Sequence, residues 1–112
     1  MIDGMHVIIY SKDAEADKAF FRDVLKFKNV DAGNGRLIFA LPKAESMLHE
    51  SDENDRHELW LMTDNLDAEI VSLKKAGVVC EAPKDRGWGI VSQIKLPGGG
   101  TLGLYQPKHA RP

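Results

Sequence analysis

The sequence predicts an α+β domain of two tandem βαβββ units, whose eight strands form one cupped mixed sheet with the helices on its outer face. Three observations lead there. The same order of extended and helical stretches runs twice along the 112 residues. A strongly polar connector, Glu50-Ser51-Asp52-Glu53-Asn54-Asp55-Arg56, stands near the midpoint with nothing to bury. Finally, Asp13-Ala14-Glu15-Ala16 and Asp67-Ala68-Glu69-Ile70 open the two helices at an offset of 67 − 13 = 54 residues, as a duplication would leave them.

The elements follow in order. Met5 to Tyr10 is short, β-branched and aromatic, hence a strand, and it ends at Ser11-Lys12-Asp13, whose side chains can cap a helix. From Asp13 to about Leu25, Ala16, Ala19, Phe20 and Val24 recur at steps of three and four and define one buried stripe. Phe27 to Ala32 and Leu37 to Leu41 flank Gly33-Asn34-Gly35, residues that tolerate the positive φ of tight hairpin turns. Pro42 stops that strand, and Ala44 to His49 is a further short one. In the second unit, Glu58 to Thr63 reads as a strand and Asp67 to Ala76 as a helix, with Leu66, Ile70 and Leu73 on one face and Gly77 as its stop. Strands at Val78 to Ala82, Gly89 to Leu96 and Thr101 to Tyr105 complete it, with a loop holding Pro83 and Gly87 and the turn Pro97-Gly98-Gly99-Gly100 between them.

An apolar fraction of 43% supplies one core, so residues 1–112 are expected to form a single domain, with units at about 4–50 and 57–106. Fifteen Lys and Arg against seventeen Asp and Glu give 15 − 17 = −2, with the basic residues scattered. Neither nucleic acid nor an anionic membrane is implied as a partner. No apolar run approaches the roughly twenty residues that cross a bilayer. Cys80 is the sole cysteine, and Met1 to His6 lacks the charged and apolar regions of a signal peptide. A cytoplasmic location is the expectation.

The segments from Glu58 through Ala68, Leu73-Lys74-Lys75-Ala76-Gly77, Trp88-Gly89 and Leu96 through Pro107 together resemble the vicinal oxygen chelate superfamily of glyoxalases, bleomycin-resistance proteins and extradiol dioxygenases. Phe20-Phe21-Arg22-Asp23-Val24-Leu25-Lys26-Phe27 resembles the end of that superfamily's first helix, and His6 opens a strand seven residues before Asp13. The resemblance covers nearly the whole chain. Metal enzymes of the superfamily take one His or Glu from the first and last strand of each unit, so that four side chains converge on a divalent ion. By that resemblance His6 matches, His49 stands in the right region, and Glu58 lies at the expected nine residues before Asp67. Gly103 occupies the place of the fourth ligand, a Glu.

A four-ligand site is therefore not expected, nor is a standard glyoxalase. His6, His49 and Glu58 make up a reduced set whose two imidazoles and one carboxylate suit Fe(II), Mn(II), Zn(II) or Ni(II). The competing reading is a pocket without metal.

The strand period of two places Glu58, Trp60 and Met62 on one face, and Thr101, Gly103 and Tyr105 on another single face. Trp60 would line the cup, Trp88 its mouth, and Tyr10 shares the face of His6. Tyr10, Trp60, Met62, Trp88, Thr101 and Tyr105 are the candidate ligand-binding residues, an aromatic lining with a few polar tips. Core or dimer packing serves the two tryptophans equally well. Arg86 beside Trp88 suits an anionic ligand group or a solvated loop. Gly98-Gly99-Gly100 lacks the following helix and Lys-Ser/Thr pair of a phosphate loop, and Cys80 lies in a strand as a structural thiol.

Two function classes follow: a metal-free binder of a small, planar or aromatic molecule, and a metal-dependent lyase or dioxygenase using the reduced site. No catalytic residue is assigned. A homodimer is the expected assembly, from the resemblance and from the exposed edges of a cupped sheet.

Overall fold

The computed structural model describes residues 6–112. Helix α1, Ala14–Ala19, begins where Asp13 Oδ1 accepts the Ala16 N–H at 3.1 Å and runs on into a π-helical turn, Phe20–Val24. In that turn the Leu25 N–H reaches the Phe20 carbonyl five residues back, so both Phe20 and Phe21 are buried. Strands β1, Asn29–Asp31, and β2, Leu37–Phe39, form an antiparallel hairpin with Val30 opposite Ile38. Its turn residues Gly33, Asn34 and Gly35 all have positive φ, as the sequence requires.

Strand β3, Trp60–Met62, leads into α2, Leu66–Lys75, capped by Asn65 and ended by Gly77 at φ 82°. Strands β4, Lys84–Asp85, β5, Gly89–Lys95, and β6, Thr101–Pro107, complete a second sheet in the order β3-β6-β5-β4. Its β3–β6 contact is parallel, and the other two are antiparallel.

The architecture is α+β with helices packed on mixed strands, but the described residues hold six strands in two sheets where the sequence predicts eight in one. Two expected strands are extended chain without pairing: residues 6–10, whose start at Met5 lies outside the described residues, and 44–49. The expected strand Val78 to Ala82 shrinks to a bridge between Cys80 and Ile94. Pro83 lacks the N–H that would continue the ladder, and pairing resumes beyond it as β4, inside the segment expected to be a loop.

One face of the four-stranded sheet packs against the helices. Leu66 and Ile94 are fully buried there, joined by Phe20, Phe21, Ile70, Leu73, Leu96, Leu102 and Leu104. At about 1.5–3 kcal/mol for each large apolar side chain, this burial is the main stabilising term. Two polar contacts fix how the helices sit. Gln106 Oε1 accepts the Leu66 N–H at 2.9 Å, and the buried Asp17 Oδ1 accepts the Gly98 N–H at 2.8 Å. Gly98 needs its missing side chain, because a β-carbon there would lie 2.8 Å from Asp17 Oδ2.

Candidate functional site

Alternation along the strands sends the core residues Leu59, Leu61, Leu102, Leu104, Ile90 and Ile94 toward the helices. The opposite face receives Trp60 and Met62 from β3, Gly103 and Tyr105 from β6, and Val91 and Gln93 from β5. The register sets two rows across it. Trp60, Gly103 and Gln93 form one, and Met62, Tyr105, Val91 and Lys84 form the other.

Three rings meet on this face, each edge-on to the others. Ring centroids are 6.3 Å apart for Trp60 and Trp88, 5.7 Å for Trp60 and Tyr105, and 5.4 Å for Trp88 and Tyr105, with interplanar angles of 88°, 89° and 74°. Such pairs each add about 0.5–1.5 kcal/mol beyond burial, so the cluster is a pre-formed wall. The six-membered ring of Trp60 lies over Gly103. A β-carbon built there would fall 2.8 Å from Cζ3 and closer still to Cε3 and Cδ2. Trp60 Nε1 donates to Glu58 Oε2 at 3.1 Å, which pins the indole.

Trp88 is held by a tight hairpin. Asp85 Oδ1 accepts the Gly87 N–H at 2.8 Å, Gly87 takes φ 85°, and the Arg86 N–H reaches the Gly89 carbonyl at 2.9 Å. Lys108 Nζ also donates to Asp85, and these two contacts, Lys108 foremost, hold that carboxyl below its ordinary pKa. At the far end of the wall, Tyr105 Oη and His109 Nε2 share a hydrogen bond of 3.2 Å. Burial, reinforced by the charge of Glu45 and opposed by Arg111, pushes the Tyr105 phenol up, so it is a neutral hydroxyl at pH 7.

Beside this wall opens a cleft of about 300 Å³, lined by Trp60, Trp88, Lys84, Arg86, Glu81 and Gln93 among others. That is at the small end of the roughly 300–1,000 Å³ of ligand pockets, enough for one or two fused rings. Of the sequence candidates, Trp60, Trp88, Tyr105 and Met62 come together. Thr101 sits at the other end of β6, opposite Lys95, and Tyr10 is 91% exposed. Lys84, Gln93 and His109 were not singled out by sequence.

The three metal candidates are not gathered. His49 Nδ1 bonds the Glu50 carbonyl at 2.7 Å, Glu58 is shared by Trp60 and Arg56, and His6 is exposed. Among the described residues no three His, Cys, Asp or Glu side chains are placed to hold an ion. The Trp60 ring fills the space where a side chain at position 103 would start.

The sequence matches no family model and no curated protein. Solved structures do match its fold. An antibiotic-binding protein from Streptomyces sp. CB03234, TnmS3, superposes with a TM-score of 0.64 at 24% identity, over 93% of this chain and 100% of that one. A lactoylglutathione lyase from Agrobacterium tumefaciens gives 0.68 at 17% identity, over 93% and 92%. A glyoxylase/bleomycin resistance protein/dioxygenase domain from Frankia sp. EAN1pec gives 0.67 at 16% identity, over 96% and 100%. The fold is that of the glyoxalase/bleomycin-resistance/dioxygenase structures.

Proposed function

We propose that this chain, with the fold of the glyoxalase/bleomycin-resistance proteins, is a small-molecule-binding protein whose ligand is a planar aromatic compound and whose family metal site is incomplete. The observation that carries this reading is Trp60 lying over Gly103. Where the resembled metal enzymes place a carboxylate, this chain offers an indole face beside a rigid aromatic wall and a cleft. The likeness to an antibiotic-binding protein supports small-molecule binding.

The reading includes a cytoplasmic homodimer. The two expected strands that lack partners carry much of the exposed apolar surface, with Ile8, Tyr10, Met47 and Leu48 at 66%, 91%, 80% and 94%. Pairing both segments across a two-fold axis would bring the strand count from six to eight and cover that surface. Cys80, a free thiol that burial makes harder to ionise, is at home in a reducing compartment.

The second reading is a metal-dependent lyase or dioxygenase using His6, His49 and Glu58. One observation favours keeping it: His6 and His49 both lie in the unpaired segments that dimerisation would reposition. The test is tryptophan fluorescence titration with a panel of fused-ring aromatics, with and without EDTA, alongside metal analysis of the native chain and His6→Ala. Saturable, chelator-insensitive quenching is expected. Near-stoichiometric metal that is lost with His6 would overturn the binder reading in favour of the enzyme.

A further inference from the structure

We propose that Lys84 and Arg86 form an anion subsite at the open side of the cleft, so that the ligand is an aromatic compound bearing a carboxylate, sulfonate or similar acidic group. The inference deepens the binding reading above and rests on it.

The register puts the two cations there. Lys84 pairs with Val91, which pairs with Tyr105, so the lysine extends the same cross-strand row as the phenol. Arg86 follows just beyond the end of β4, and both residues line the cleft with Trp60 and Trp88. Asp85 between them is sent to the other face, where Lys108 and the Gly87 N–H hold its carboxylate. Among the described residues neither Lys84 nor Arg86 is in a salt bridge. Glu81 is the one carboxylate in the lining, so the cleft carries 2 − 1 = +1 on a chain of net charge −2. A positive cleft on a negative molecule draws and orients anionic ligands.

An arginine fork beside an indole reads a planar acid in two ways at once, by paired hydrogen bonds to the acid group and by apolar contact with the ring. The competing account is that Lys84 and Arg86 only charge an edge strand against intermolecular pairing. That account predicts no preference among ligands.

Isothermal titration with three matched probes separates the two: 2-naphthoate, its neutral isostere 2-naphthamide, and 2-naphthylmethylammonium. The expected result is naphthoate binding about five- to tenfold more tightly than naphthamide at low salt, with the preference shrinking as salt rises. Replacing both cations, Lys84→Gln with Arg86→Gln, removes the preference, so that naphthoate binds no more tightly than naphthamide to the variant. Equal binding of naphthoate and naphthamide to the native chain, or a preference that survives the double replacement, overturns the subsite while leaving the cleft as a binding site. Binding of none of the three overturns the cleft reading and the subsite with it. The salt series on the native chain decides the matter even if the variant misfolds.

Discussion

Trp60 and Gly103 are opposite one another in the parallel β3–β6 pair, and the glycine's bare Cα is the floor on which the indole rests. Neither residue works with the other altered. Alanine at 103 would push the ring off the sheet and, with it, the edges of Trp88 and Tyr105.

Gly103→Ala is therefore expected to destabilise the fold by about 1–3 kcal/mol, the usual cost of overpacking, although alanine is otherwise no worse than glycine in a strand. In a Trp60→Ala background the same change should cost little, a coupling of about 1–3 kcal/mol between touching residues. Urea denaturation of the four proteins of the cycle measures it. Simple additivity would mean that the ring does not rest on the glycine.

Trp88 is 48% exposed, so Trp88→Ala should lower stability by about 1–3 kcal/mol, the worth of its two edge-on contacts. Ligand affinity should fall by about tenfold or more, because the mouth of the cleft loses one wall. Paired denaturation and calorimetric titration separate the two effects, and a large loss of stability with unchanged affinity would make Trp88 a packing residue.

Asp17 is buried and ties α1 to the turn before β6 through the Gly98 N–H. Asp17→Ala leaves that N–H without an acceptor and should cost about 1–3 kcal/mol. Asp17→Asn, which keeps an acceptor oxygen, should cost less. Thermal melts of the two variants give the order, and equal losses would point to charge instead of the hydrogen bond.

The pH dependence has two limbs of opposite sign. Burial raises the Tyr105 pKa in the folded state, so its contribution is full below the ordinary tyrosine value of about 10 and is lost as pH rises through the raised one. Tyr105→Phe should flatten the alkaline limb of a stability-against-pH curve. Asp85 is held low by Lys108 and Gly87, so its contribution is present above the ordinary carboxylate value and is lost as pH falls through the lowered one. The pair is exposed, so the effect is local. Lys108→Gln should return the Asp85 titration toward its usual range, as read by carboxyl NMR.

The helices, the hairpin turn and the pocket face were legible because each rests on local rules. Gly33-Asn34-Gly35 announces its own backbone, and a period of two puts Trp60 and Met62 opposite Leu59 and Leu61. The two Asp-Ala-Glu fragments of the expected repeat do not fall at equivalent positions of their helices. Asp13 caps α1, whereas Asp67 is the second residue of α2, whose cap is Asn65. The capping pattern matches Ser11, Asp13 and Ala16 with Thr63, Asn65 and Ala68, where each hydroxyl accepts the cap residue's N–H and each cap accepts the N–H three residues on. That offset is 65 − 13 = 52, and its capping side chains are similar, not identical. What stayed hidden was non-local. Pro83 reset the edge strand that presents Lys84, and the strands expected at 5–10 and 44–49 depend on partners that no local pattern specifies.

The parallel pairing of β3 with β6 also orders events in time. Trp60 meets Gly103 across 103 − 60 = 43 residues, a closure that costs about 3 kcal/mol in chain entropy before any contact repays it. The antiparallel β5–β6 hairpin, closed by a short turn, needs no such delay. The aromatic wall is thus among the last parts of the second unit to assemble on folding, and a nascent chain that stops short of residue 101 has no floor for its indole.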